Sequence, residues 1–253
     1  YALYGGRKIG KTWFLKDICK WATDAPFSSY YFAVYVSLQG VENLAEAAEL
    51  IIEAVDHNLS QKSKSVTNPL SQLRSTLLNA HKVTKKTVLI ALDEVDDILK
   101  IQNCYDLFSK LRQLQHTYPD SFKFVFAGFK ELMHAFRDIK TNNPFANWVG
   151  TNHFALGGLN EEDLYSLIIR PFLWLGFEFK EARILSTVYE LTSGHPYYTQ
   201  LLCHNVLNAR LSSHSYTLTW QHFEKFAAID FFHEVFDIFT LNLSPLQLLI
   251  GKV

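Results

Sequence analysis

The chain has 253 residues, enough for one large domain or two modest ones; 48% of them are hydrophobic and 19% charged, as in ordinary globular proteins. Its formal net charge of −1 excludes a global basic field that would attract nucleic acid or anionic membranes, but it does not exclude a local basic patch. Three widely spaced cysteines, and apolar runs well short of the roughly 20 residues of a membrane span, predict a cytoplasmic protein with reduced thiols, no signal peptide and no membrane association.

The first predicted element is the tail of a strand, YALY, which leads into the segment YGGRKIGKTW. That segment has the spacing G-x-x-x-x-G-K-[ST], and a helix is predicted after it, over residues 11–22. A glycine-rich loop between a strand and a helix aims backbone N–H groups at phosphate oxygens, and the helix N-terminus adds partial positive charge. Lys11 would reach the β- and γ-phosphates of a nucleotide, and the Thr12 hydroxyl would bind Mg²⁺. The predicted phosphate-binding residues are Gly5, Gly6, Arg7, Lys8, Ile9, Gly10, Lys11, Thr12 and Trp13.

Strand and helix patterns then alternate along the chain. A β-rich run predicts a strand over residues 31–38, and apolar residues at i, i+3 and i+4 spacing predict a helix over residues 43–57. Residues 60–69 are polar and end in proline, which predicts a surface loop before another helix.

The segment TVLIALDEVDD at residues 87–97 joins a continuous apolar run to acidic residues. Such a run is typical of a strand that is buried on both faces of a parallel sheet. Ligands of such sheets bind at the carboxyl ends of the strands, so Asp93 and Glu94 are expected beside the glycine-rich loop. Asp93 would hold Mg²⁺ through its water shell, and Glu94 would orient and deprotonate an attacking water. The pair therefore predicts binding of a nucleoside triphosphate, ATP or GTP, and its hydrolysis.

Leucines at helical spacing in residues 107–114 predict the next helix, and strands are predicted over residues 122–128 and 153–158. Strands separated by helices imply a parallel sheet with right-handed crossovers. The predicted fold class is therefore α/β, and the predicted nucleotide-binding domain spans residues 1–158.

After this domain the pattern predicts helices only, beginning with Asn160 as the N-cap of a helix with acidic residues in its first turn. A helix around residues 181–192 ends at Gly194, and Pro196 opens the next one. Further helical pattern fills residues 220–239, and a new amphipathic segment then starts and stops without a cap. We expect both ends of the chain to be boundaries within a longer protein.

Four segments together resemble the STAND-type ATPases of bacteria, the signal-transduction branch of the AAA+-related P-loop ATPases. They are GGRKIGKT, LDEVDDI, PFANWVGTNHFALGGLNEEDL and LTSGHPYYTQLLC. The resemblance implies a P-loop sheet flanked by helices, a helical lid over residues 159–240 and the start of a winged helix at residues 241–253. It also implies ATP or ADP with Mg²⁺ as ligands, and nucleotide contacts from His195 and Pro196. Nucleotide-dependent homo-oligomers, sensor and effector modules elsewhere in the protein, and a role in bacterial defence or signalling are further implications.

The chain departs from this family in the residues that assist hydrolysis. Gly128 and Phe129 stand at the end of the fourth strand, where a polar sensor is usual, and Lys130 is the nearest substitute. Arg137 and Arg170 are the candidates for an arginine finger or a phosphate sensor, although surface or salt-bridged roles are common for such residues. Because loss of a finger slows hydrolysis by orders of magnitude, we expect slow turnover, which favours a switch over a motor.

Three alternatives remain at this stage. The first is a DNA-associated AAA+ ATPase of the origin-recognition or loader type, which strong, salt-sensitive duplex binding would reveal. The second is a scaffold in which ADP is structural, and the presence of Glu94 argues against it. The third is a purely structural role for residues 194–196, in which Gly194 ends one helix, Pro196 begins the next and neither contacts a nucleotide.

Overall fold

The computed structural model describes residues 1–61, 68–137, 143–150 and 152–227. The chain divides into two compact units, of which the first is Tyr1–Leu156 and the second begins at Gly157. Among the described residues, no helix combines the length and the apolar character that crossing a membrane requires.

The first unit is built on a five-stranded sheet in which every neighbouring pair of strands is parallel. In space the strands follow the order β2-β3-β4-β1-β5. This architecture confirms the predicted α/β class with its parallel sheet. The strands are β1 (Ala2–Tyr4), β2 (Tyr31–Ser37), β3 (Thr87–Asp93), β4 (Phe122–Gly128) and β5 (His153–Ala155).

Helices connect these strands, as parallel pairing requires. Asparagine side chains cap three of them. Asn43 accepts a hydrogen bond from the Glu46 N–H, Asn68 accepts one from the Ser71 N–H, and Asn143 accepts from the N–H groups of Phe145 and Ala146. Pro69 lies in the first turn of the helix that Asn68 caps. The helices are α1 (Lys11–Thr23), α2 (Leu44–Asn58), α3 (Pro69–Thr84), α4 (Val95–Leu99), α5 (Tyr105–Thr117), α6 (Lys130–Arg137) and α7 (Pro144–Val149).

Strand β3 is the centre of the apolar core, because it contributes side chains to both faces of the sheet. Val88, Ile90 and Leu92 belong to one buried cluster, and Leu89 and Ala91 belong to the cluster on the opposite face. All five are at most 8% exposed, as predicted for a strand that is buried on both faces. The carboxyl end of β3 is therefore held firmly where the acidic residues begin.

The second unit has its own apolar core, to which Leu164, Ile168, Val188, Val206 and Phe223 contribute. Its helices are α8 (Glu161–Trp174), α9 (Arg183–Thr192), α10 (Pro196–Ser212) and α11 (Trp220–Ala227). As predicted, the Asn160 side chain caps α8 by accepting a hydrogen bond from the Asp163 N–H at 2.8 Å.

The prediction of helices only is incomplete, since two short parallel strands, β6 (Glu178–Phe179) and β7 (Thr217–Leu218), pair within the second unit. Two residues are too few for an alternating pattern to show in the sequence. The later part of the predicted helical pattern at residues 228–239, the predicted lid boundary at 240 and the predicted winged-helix start at 241–253 lie outside the described residues, as does most of the predicted loop at residues 60–69.

Candidate functional site

The glycine-rich loop connects β1 to α1, the strand–loop–helix setting that its sequence predicts. Gly10 is the N-cap of α1 and has φ 106°, a left-handed conformation that glycine adopts without steric cost. No side chain caps this helix N-terminus in the described structure. The N–H groups of its first turn are therefore available to an anionic ligand.

Lys11 turns its side chain back into the loop. Its ammonium donates hydrogen bonds to the carbonyl oxygens of Gly5 at 3.0 Å and Gly6 at 2.9 Å, and it lies 5.8 Å from the centre of the Phe129 ring. Burial lowers the pKa of Lys11 from its ordinary value, while the Glu94 and Asp93 carboxylates oppose that shift. The loop thus encloses a mostly buried cation.

Asp93 is the last residue of β3 and is only 1% exposed. Its Oδ2 accepts a hydrogen bond from the Thr12 hydroxyl at 2.6 Å, and its Oδ1 accepts one from the Glu94 N–H at 3.0 Å. A second hydroxyl, that of Tyr35 on β2, donates to the same Oδ2 at 3.0 Å. The structure therefore brings the two sequence motifs into direct contact across 81 positions of the chain.

Glu94 follows Asp93 as the N-cap of α4 and has φ 54°, which is uncommon for a residue with a side chain. Its side chain is half-buried. Burial raises the pKa of Glu94 above its ordinary value, the Asp93 carboxylate raises it further, and Lys11 lowers it. Glu94 is thus a carboxyl group that accepts a proton more readily than an exposed glutamate does.

The remaining residues of the loop differ in exposure. Ile9 is buried and anchors the loop, whereas Arg7 and Lys8 are exposed, as expected for variable positions of the motif. Trp13, next to Thr12 on α1, is 77% exposed.

Asp96, three residues after Asp93, makes a second set of contacts at the end of β4. Its carboxylate is 7% exposed and accepts hydrogen bonds from the N–H groups of Phe129 at 2.5 Å, Glu131 at 2.7 Å and Leu132 at 3.3 Å. A Cβ atom on Gly128 would lie 2.2 Å from Asp96 Oδ2. Asp96 therefore explains why glycine stands where a polar sensor was expected, a role of Asp96 that no local pattern in the sequence indicates.

The other candidate residues belong to other elements of the chain. Lys130 is exposed at the start of α6, Arg170 is exposed on α8, and the side chain of Arg137 lies outside the described part of the chain. His195 and Pro196 belong to the turn between α9 and α10 in the second unit, where the His195 ring lies 4.2 Å from that of Tyr198. Their predicted nucleotide contacts stay predictions.

Gly128→Ala should destabilise the protein by about 1–3 kcal/mol, the usual effect of overpacking, because the new Cβ would also lie 2.8 Å from Leu132 Cβ. Urea unfolding of the two proteins measures the difference. Gly157→Ala is the matched control, since no described atom lies within 4 Å of its added Cβ. Equal unfolding midpoints for Gly128→Ala and wild type would contradict the close packing of Asp96 against Gly128.

Glu94→Gln should raise the thermal unfolding temperature more at pH 8 than at pH 4.5. Because the pKa of Glu94 is higher in the folded protein, its ionised form destabilises the fold. This destabilisation is absent below the unfolded pKa of about 4.3, grows as pH rises, and is complete above the folded pKa. Calorimetry at both pH values measures it, with exposed Glu53→Gln as control. The same gain at both pH values would show that charge is not the cause.

The sequence profile of a family described as an AAA domain matches residues 1–136 of the chain. No curated protein sequence matches the chain.

Several solved structures share the fold. The Aeropyrum pernix ORC2 protein in ADPNP–ADP complexes is 16% identical, with a TM-score of 0.67 over 88% of this chain and 60% of that one. The Aeropyrum pernix ORC1 protein in complex with DNA is 16% identical, with a TM-score of 0.62 over 88% of this chain and 57% of that one. A Walker-type ATPase of Pyrococcus abyssi is 12% identical, with a TM-score of 0.62 over 96% of this chain and 71% of that one. The chain spans less than two thirds of the length of either ORC protein, and these likenesses establish the fold alone.

Proposed function

The chain belongs to the AAA domain family, and from the resemblance of its sequence to STAND-type ATPases we propose that it is an ATP-binding and slowly hydrolysing molecular switch of the STAND type. ATP binding, together with an external trigger, would shift a closed monomer towards an open, oligomerising state, and hydrolysis would reset it. The observation that carries the proposal is the 2.6 Å hydrogen bond from Thr12 to Asp93, which joins the glycine-rich loop to the carboxylates at the end of β3.

We propose that the loop binds the phosphates of ATP. Backbone N–H groups of residues 5–13 and the uncapped N-terminus of α1 would contact phosphate oxygens. Lys11 is a mostly buried cation whose hydrogen-bond partners, Gly5 O and Gly6 O, are neutral. A phosphate would supply the counter-charge that these carbonyl groups lack, so its binding is favoured at this position.

The oxygen donors at the carboxyl end of β3 fit Mg²⁺. The Thr12 hydroxyl and the Asp93 carboxylate are hard oxygen groups in direct contact, so the hydroxyl would bind the ion and the carboxylate would hold its water shell. In the described residues no group of three or more His, Cys, Asp or Glu side chains could hold a metal ion. The proposed ion would therefore depend on phosphate oxygens and water for its remaining ligands, as is usual for Mg²⁺ in nucleotide sites, and it would neutralise phosphate charge.

Glu94 is the proposed general base. Its position next to Asp93 places it at the same end of the sheet as the loop, and its raised pKa suits a group that accepts a proton from water. Gly128 is packed against Asp96 and carries no polar side chain, which supports slow hydrolysis. The helical second unit is the proposed lid, with His195 and Pro196 as its nucleotide-contacting turn.

The partners of the switch follow from the resemblance to STAND ATPases rather than from the described contacts. We propose nucleotide-dependent homo-oligomers, with sensor and effector modules elsewhere in a longer protein. Arg137 and Arg170 are the proposed candidates for an arginine finger. The biological setting proposed is bacterial defence or signalling in the cytoplasm.

A DNA-associated ATPase of the loader type is the second candidate. The fold likeness to an Aeropyrum pernix ORC1 protein solved in complex with DNA favours it. The formal net charge of −1 argues against a broad phosphate-binding surface on this part of the protein.

Lys11→Ala should weaken ATP binding at least about tenfold, because hydrogen bonds to charged groups are worth about 1.5–3 kcal/mol. Titration calorimetry with ATP and Mg²⁺ measures the change. Lys20→Ala removes the same charge from an exposed position of the same helix and should leave the affinity unchanged. Equal affinities of wild type and Lys11→Ala would refute the proposed phosphate site.

Glu94→Gln should trap ATP and convert the full-length protein from monomer to oligomer, because it keeps the shape of the site without the base. Light scattering after size exclusion, with ADP or with ATP, measures the mass. Wild type and Glu53→Gln should stay monomeric without the trigger. If the mass never changes with nucleotide, the switch loses its mechanism and the DNA-associated candidate becomes the better one.

A further inference from the structure

Tyr35 lies on a strand that the sequence motifs do not include, and it contacts Asp93, the carboxylate proposed to hold the water shell of Mg²⁺. In the β2–β3 register, Tyr35 lies opposite Ala91, and Ser37 lies opposite Asp93. The Tyr35 side chain thus reaches diagonally along the sheet, and its hydroxyl donates to Asp93 Oδ2 at 3.0 Å. This is the same oxygen that accepts the Thr12 hydroxyl.

An ionised carboxylate has about four acceptor sites, two on each oxygen. The Thr12 and Tyr35 hydroxyls occupy both sites of Asp93 Oδ2, and the Glu94 N–H occupies one site of Oδ1. Among the described contacts, one acceptor site, on Oδ1, is left for a further donor. The hydrogen bond from Tyr35 therefore fills Oδ2, so that Oδ1 is the oxygen of Asp93 that can accept from a ligand.

We propose that Tyr35 is a positioning residue for Mg²⁺-dependent nucleotide binding, because its hydroxyl fixes the orientation in which Asp93 accepts from the water shell of the metal. The inference rests on the proposed nucleotide site and adds a residue of β2 to it. Removal of an outer-shell partner of a metal site commonly changes metal affinity about 10–100-fold.

The ring of Tyr35 is held by contacts that phenylalanine would keep. It packs against the buried apolar cluster between β3 and α1, and the Lys16 ammonium lies 5.1 Å from its centre. Tyr35→Phe thus removes one hydroxyl and leaves the packing in place. Tyr31 lies on the same strand and the same face, four residues earlier, and packs against the same cluster, so Tyr31→Phe is the matched control.

The test compares ATP affinity with Mg²⁺ and with EDTA, measured by titration calorimetry on the full chain. The ratio of the two affinities reports the metal-dependent part of binding. Tyr35→Phe should lower this ratio about tenfold, with the affinity in EDTA within about twofold of wild type. Tyr31→Phe should leave both affinities unchanged. A structural defect alone would weaken binding with and without the metal.

A double-mutant cycle with Asp93→Asn guards against a general loss of stability in Tyr35→Phe, because such a loss appears in both backgrounds and cancels. In the Asp93→Asn protein, Tyr35→Phe should have no further effect on the ratio. An unchanged ratio in Tyr35→Phe, or an equal effect in both backgrounds, would overturn the role of Tyr35. If wild type shows no gain from Mg²⁺ at all, the proposed nucleotide site itself fails and the inference fails with it.

Discussion

The buried carboxylate of Asp93 has to be satisfied by hydrogen bonds, since an unpaired charge inside a protein is strongly unfavourable. Its donors come from three places: Thr12 on α1, Tyr35 on β2, and the backbone of Glu94 where α4 begins. The glycine-rich loop, the neighbouring strand and the acidic pair are thereby held around one charged group. The arrangement of the candidate site depends on this requirement more than on any apolar contact.

Asp96 meets the same requirement on the other side of β3. It takes its hydrogen bonds from the backbone at the end of β4 and the start of α6, which ties that turn to the strand carrying Asp93. The negative end of the side chain also lies at the positive N-terminus of α6, which is favourable. Two acidic residues three positions apart thus connect β3 to both of its neighbours in the sheet.

The features that the sequence predicted correctly are those with local signals. The spacing of residues 5–12 and the unbroken apolar run of β3 are visible in a short window, and both identify their elements. The roles of Tyr35 and Asp96 depend on the strand order β2-β3-β4, which places their partners 58 and 33 positions away. In the sequence, Tyr35 is one aromatic residue in a β-rich run and Asp96 is one aspartate in an acidic segment, so neither pattern indicates these distant partners. Strands of two residues, such as β6 and β7, are also too short to be predicted from a sequence pattern.

The hydrogen bonds of Lys11 to Gly5 and Gly6 have a consequence for ligand selection. The ammonium is already solvated by the loop's own carbonyl groups, so an entering anion has to displace them before it gains the full attraction of the cation. A chloride ion or a single orthophosphate offers few contacts to offset that exchange. In the proposed phosphate site, a polyphosphate chain would contact the amides of the loop, the helix terminus and the ammonium together. Internal solvation of Lys11 would therefore act as a threshold that filters small anions from the abundant salts of the cell.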